Sequence, residues 1–172
     1  MIEARSIAAI AFALALALAG APAGAENGPL PGTRVLHSSH AFVDVVARLE
    51  QAVKDNQMGV VATASASRGA AARGVQIPGN AVIMVFRNDF AVRMLEASVP
   101  AGIEAPLRFY VTENADGSAS LTYREPSAVF APYGVPQLDA LAGELDAIFG
   151  KIAAPAAATA SSTTRVSRAG HG

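Results

Sequence analysis

The chain reads as an α+β domain on three observations: two stretches carry apolar residues at helical spacing, strand-like segments follow one another without strict β-α alternation, and an Asp-Gly turn joins two alternating segments. Runs of adjacent strands favour an antiparallel or mixed sheet over a parallel one. The predicted order is strand, helix, strand, strand, short helix, strand, strand, helix.

Thr33 to His37 is short and β-prone, with Val35 and Leu36 pointing to opposite sides if extended. Ser38-Ser39 offers N-cap oxygens before a helix whose apolar set is Phe42, Val45, Val46, Leu49 and Val53. Met58 to Thr63 reads as a strand. Residues 64–80 are small, glycine-punctuated and carry Arg68 and Arg73, so they are expected to form a loop near a site. Ala81 to Phe86 is apolar throughout and suits an interior strand better than an edge. Asn88 to Ala97 returns to helical spacing, with Phe90, Met94 and Ala97 on one face, and Pro100 and Gly102 end it.

Leu107, Phe109 and Val111 alternate with Arg108, Tyr110 and Thr112, as a half-buried strand requires. Asp116-Gly117 then turns the chain into Ala119, Leu121 and Tyr123, which alternate in the same way. After the proline-rich stretch Pro126 to Pro136, a last helix carries the stripe Leu138, Leu141, Ala142, Leu145, Ile148 and Ile152. The two long helices are expected on one face of the sheet. The other face has a polar coat on one strand, Arg108-Tyr110-Thr112, and an apolar neighbour in Ala81–Phe86. That mismatch points to a homodimer through the open face.

Composition narrows the function classes. The 172 residues contain no Cys, which removes disulfides, thiolate metal sites and a cysteine nucleophile. A formal charge of −1 argues against a nucleic-acid partner, because such a groove needs clustered Lys and Arg. The mean hydropathy of +0.34 owes much to alanine at the two ends. Residues 1–25 have the parts of a secretory signal: Arg5, the apolar run Ile7 to Leu18, and Ala23-Gly24-Ala25 before the cut. As a helix that run rises about 18 Å, short of the roughly 30 Å hydrocarbon core. The expectation is cleavage after Ala25, a periplasmic or secreted protein, and no membrane association afterwards. Residues 26–32 read as a leader, 33–153 as a single domain, and 154–172 as a disordered low-complexity tail.

The middle of the chain, roughly residues 33–153, resembles the bacterial domain of unknown function 302 family. The resemblance is carried by His40-Ala41-Phe42 with Leu49-Glu50, by Val82 to Phe86 running into Arg87-Asn88-Asp89, and by Ala101 to Leu107. Asp116-Gly117 before Tyr123, Pro126-Ser127, Phe130, Tyr133-Gly134 and the Leu-rich final helix complete it. It implies a curved, mostly antiparallel sheet with helices on one side, similar to the TATA-binding-protein-like arrangement. It implies no activity. Many family members look like Phe-Gly-Asn-Pro where this chain has Phe86-Arg87-Asn88-Asp89, which changes the turn chemistry there.

Four residues stand out as candidates for chemistry. Arg87, Asn88 and Arg93 sit where a buried strand opens a short helix, and backbone N–H groups at such a junction can receive an anion. The competing reading is structural: Asn88 or Asp89 caps the helix and the arginines pair with Glu96, Glu104 or Glu113. Glu104, flanked by Ile103, Ala105, Pro106 and Leu107, is a carboxylate partly withdrawn from water, suited to acid–base work or to pairing with Arg108 or Arg124. His37 and His40 are too few for a metal site without further ligands. No serine elbow, Walker loop, dinucleotide fingerprint or zinc-protease motif occurs, so no cofactor is implied. The expected function is non-catalytic binding of a small anionic ligand or a partner through Arg87, Asn88, Arg93 and Glu104. The alternatives are an envelope enzyme using Glu104 as acid or base on an anionic substrate, and a structural assembly subunit.

Overall fold

A computed structural model describes residues 28–158. The predicted signal at 1–25 and the tail beyond residue 158 lie outside the described residues. The elements are β1 (Thr33–Ala41), α1 (Phe42–Asp55), β2 (Gly59–Ala64), α2 (Ala66–Ala71), β3 (Asn80–Phe86) and α3 (Asn88–Ala97). A 3₁₀ turn (Val99–Glu104) leads to β4 (Leu107–Glu113), β5 (Ser118–Arg124), α4 (Pro126–Phe130), a second 3₁₀ turn and α5 (Pro136–Ala157). The five strands form one sheet in the order β1-β5-β4-β3-β2, and every pairing is antiparallel. The α+β fold with its helices against one sheet face is therefore as the patterns predict.

The pleat explains why. Ala81, Ile83 and Val85 of β3, Phe109 and Val111 of β4, and Ala119 and Leu121 of β5 all point one way and are buried. Val45, Leu49 and Val53 of α1 and Phe149, Ile152 and Ala153 of α5 close over them. At the centre Phe149 stacks on Phe109, with ring centroids 4.6 Å apart, and Tyr123 tilts against both. A second cluster, built from Phe90, Met94, Phe130, Leu138, Leu141 and Leu145, seats α3 and α4 on the first half of α5.

Four expectations change. Ser38 and Ser39 do not cap α1, because β1 runs on to Ala41 through an irregularity, and the helix starts with no side-chain cap. Ser38 is buried, and its hydroxyl accepts the His40 N–H instead. Residues 64–80 are not a featureless loop. Ser65 caps α2 by accepting the Arg68 N–H, and Asn80 ties the segment back through Ala66 N–H to its Oδ1 and its own N–H to Ser67 Oγ. The proline-rich stretch contains α4, whose Pro126 supplies the first helical turn where no N–H is needed. Finally, α5 continues to Ala157 and buries Ala156 and Ala157, four residues past the point where the domain was expected to end.

Among the described residues, no helix covers the opposite sheet face. Met84, Arg108, Arg124 and Thr33 make one row across β3, β4, β5 and β1, and Val82, Tyr110, Thr122 and Val35 make the next. Tyr110 and Val35 are exposed there.

Candidate functional site

The junction at the start of α3 is electrostatically closed. Arg87 makes two hydrogen bonds to Asp89, at 2.8 and 3.1 Å, and Arg93 reaches across to Glu144 of α5 with two more, at 2.9 and 2.5 Å. Both guanidinium groups also lie over the Phe90 ring, 4.1 and 5.2 Å from its centroid. Hydrogen bonding from Arg87 holds the Asp89 carboxyl below its ordinary range, and Arg93 does the same to Glu144. Neither Asn88 nor Asp89 occupies the N-cap, which falls on Arg87 with no side-chain cap. The arginines therefore pair, but with Asp89 and Glu144 rather than Glu96, Glu104 or Glu113. Their charge is spent on carboxylates of this chain, and Asn88 is exposed beside them.

Glu104 stands elsewhere. It ends the 3₁₀ turn before the cis Ala105–Pro106 bond, is half-buried, and accepts a hydrogen bond from the Tyr133 hydroxyl at 3.1 Å. Desolvation first, and the bond to Glu104 second, raise the Tyr133 phenol above its usual range, so it stays a donor. The four predicted residues are thus not brought together: Arg87 lines a small apolar gap under α3, Arg93 an exposed hollow between α3 and α5, and Glu104 a third cavity. Arg68 of α2 belongs to a groove beside Phe42 and Gly79, at the other end of β3 from Arg87.

That third cavity, of about 270 Å³, is where unspent charge collects. It opens where the start of β4 and the end of β5 meet the 3₁₀ turn and α4, and Glu104, Arg108, Tyr110, Thr122, Arg124 and Val129 line it. The register that sets Phe109 opposite Tyr123 puts Arg108 and Arg124 side by side on neighbouring strands, where facing Cβ atoms lie about 4.5–5.5 Å apart. Arg124 gives one hydrogen bond to the Ala128 carbonyl, at 3.1 Å, and Arg108 has no polar partner among the described residues. Among the described residues no carboxylate comes within 4.0 Å of either guanidinium, Glu104 included. Tyr110 was legible only as part of a polar coat, Arg108 as that and as a partner for Glu104, and Arg124 only as a partner for Glu104. The available sequence signal was the turn: Asp116 lies midway between Arg108 and Arg124, so a hairpin centred on it brings them together.

A second polar group lies further along the same face. The buried Ser120 donates to Asn114 Oδ1 at 2.9 Å and meets His37 Nδ1 at 3.0 Å, which ties His37 of β1 to the β4–β5 hairpin.

Fold and site define a single-sheet α+β domain with one helix-covered face and one open face bearing a basic cavity. Residues 35–154 match the family described as "Domain of unknown function DUF302", and the chain belongs to that family. A crystal structure of an uncharacterized conserved protein DUF302 from Bacillus stearothermophilus has a similar fold, with a TM-score of 0.64 at 17% identity over 71% of this chain and 95% of that one. No curated protein matches the chain.

Proposed function

We propose that this chain is an exported, non-catalytic binding domain that takes a small anionic ligand on the open face of its sheet, in the cavity headed by Arg108 and Arg124. One observation carries the reading: two guanidinium groups on adjacent strands share a cavity, and among the described residues no carboxylate lies within ion-pair distance of either. Like charges directly opposite on a sheet are unfavourable, and a bound anion with two charge-assisted hydrogen bonds reverses that cost. Thr33 and Thr122 supply hydroxyls beside the arginines, while Val82 and Val129 give apolar wall.

The export half of the proposal rests on the pattern of residues 1–25. Protein recovered from its native host should begin at Glu26; a chain beginning at Met1 contradicts export with cleavage.

Two alternatives are weaker on this geometry. Pairing the open face with a second copy would withdraw unpaired guanidinium groups from water, at a cost of several kcal/mol per ion unless the partner supplies carboxylates. An acid–base role for Glu104 gains the Tyr133 hydroxyl as a proton partner at 3.1 Å. Turnover by wild type that disappears in Glu104→Gln would establish it.

The direct test is a thermal-shift panel of small monocarboxylates. Arg108→Ala/Arg124→Ala should abolish the shift, and Arg87→Ala/Arg93→Ala should preserve it. The reverse pattern places the anion at the start of α3 and overturns the cavity assignment.

A further inference from the structure

The cavity holds charge of both signs, kept apart. Glu104 lines it together with Arg108 and Arg124, yet its carboxylate stays outside ion-pair distance of both. One oxygen, Oε1, is engaged by Tyr133 at 3.1 Å, and the other has no partner among the described residues. The carboxylate is therefore held by a neutral hydroxyl and leaves an acceptor free. Val82 of β3, Val129 of α4 and the ring of Tyr110 line the same cavity.

We infer that the ligand of this cavity is a zwitterion on an apolar body, of the class of the apolar α-amino acids. This rests on the anion-binding reading above and adds the second charge to it. The ligand carboxylate lies on Arg108 and Arg124, its ammonium on the free oxygen of Glu104, and its side chain on the apolar wall. A dianion or polyphosphate would set its second negative charge against Glu104, and a simple amine would face two guanidinium groups without compensation. The volume agrees in scale: about 270 Å³ lies just below the roughly 300–1,000 Å³ range of drug-sized ligand pockets, so it suits a single amino acid better than a nucleotide.

Isothermal titration with four probes separates the claims: leucine, 4-methylpentanoate (the same carbon body without the ammonium), 3-methylbutylamine and inorganic phosphate. Wild type should bind leucine at least about tenfold more tightly than 4-methylpentanoate, the ratio expected for one charge-assisted hydrogen bond. Glu104→Gln should shrink that margin to about threefold or less while 4-methylpentanoate binds as well as before. Arg108→Ala/Arg124→Ala should lose both ligands. If 4-methylpentanoate matches leucine on wild type, if the margin survives Glu104→Gln, or if phosphate binds more tightly than leucine, the zwitterion is overturned while anion binding stands. If neither leucine, 4-methylpentanoate nor phosphate binds wild type, the anion reading falls and this inference with it.

Discussion

Arg108 immediately precedes Phe109, Arg124 immediately follows Tyr123, and because Phe109 and Tyr123 are register partners the two arginines occupy facing positions on the open side of the sheet. With no anion bound, they repel each other across one strand spacing. Arg108→Thr should therefore raise the melting temperature of the free protein by about 1–3 °C at low salt. The gain should fade as salt approaches about 1 M, where charges are screened beyond roughly 3 Å. A loss of stability in low salt would mean that Arg108 has a structural partner.

The Arg93–Glu144 pair joins α3 to α5, and its acid dependence has a definite sign. Hydrogen bonding from Arg93 lowers the Glu144 carboxyl below its ordinary 4.5, and the pairing raises Arg93 in turn. A depressed folded-state pKa means the pair's contribution is whole above the ordinary value and is lost as pH falls through the lowered one. Melting curves of wild type and Glu144→Gln should differ at neutral pH and converge as pH falls through the lowered carboxyl range. Both side chains are half-exposed, so the neutral-pH difference should be small and weakened by salt.

The central ring stack is the costliest place to cut. Phe149 is fully buried and stacks on Phe109 at 4.6 Å, so Phe149→Ala should cost about 3–5 kcal/mol in denaturant unfolding. Phe149→Leu, which keeps most of the volume, should cost less than half of that.

Two glycines with left-handed backbone separate strain from collision. Gly117 has φ +82 with open space around it, and Gly32 has φ +75 with the Ala128 methyl where a Cβ would go. Gly117→Ala should cost about 1–2 kcal/mol from backbone strain alone. Gly32→Ala should cost about 1–3 kcal/mol more, because it also overpacks the approach of β1 to α4. Equal costs would mean that the Gly32–Ala128 contact yields without penalty.

Legibility in the sequence followed the strength of local pattern. Strand alternation at Leu107–Val111 and Ala119–Tyr123, and the stripes of α1 and α5, are set by burial on one face and are visible without coordinates. Phe149 was missing from the expected stripe although it fills the centre of the core, because the leucines around it already completed a helical period. α2 was illegible: six residues of Ala, Ser, Gly and Arg have no apolar stripe, and the helix depends on the Ser65 cap and on Asn80, fourteen residues beyond Ala66. The site failed for a related reason. Arg87 and Arg93 drew notice by their place at a helix start; Arg87 is taken by Asp89 two residues on, and the partner of Arg93, Glu144, depends on how α3 docks on α5. Arg108 and Arg124 drew notice only as partners for Glu104, Arg108 also as part of a polar coat, and only the hairpin register makes them a pair.

The measurement nearest the centre of this account is nuclear magnetic resonance of the arginine side-chain Nε–Hε groups during titration with 4-methylpentanoate. The resonances of Arg108 and Arg124 should move together and saturate on one binding curve, while those of Arg87 and Arg93, held by Asp89 and Glu144, stay in place. Movement confined to Arg87 and Arg93, or no movement at Arg108 and Arg124 at saturating carboxylate, would contradict it.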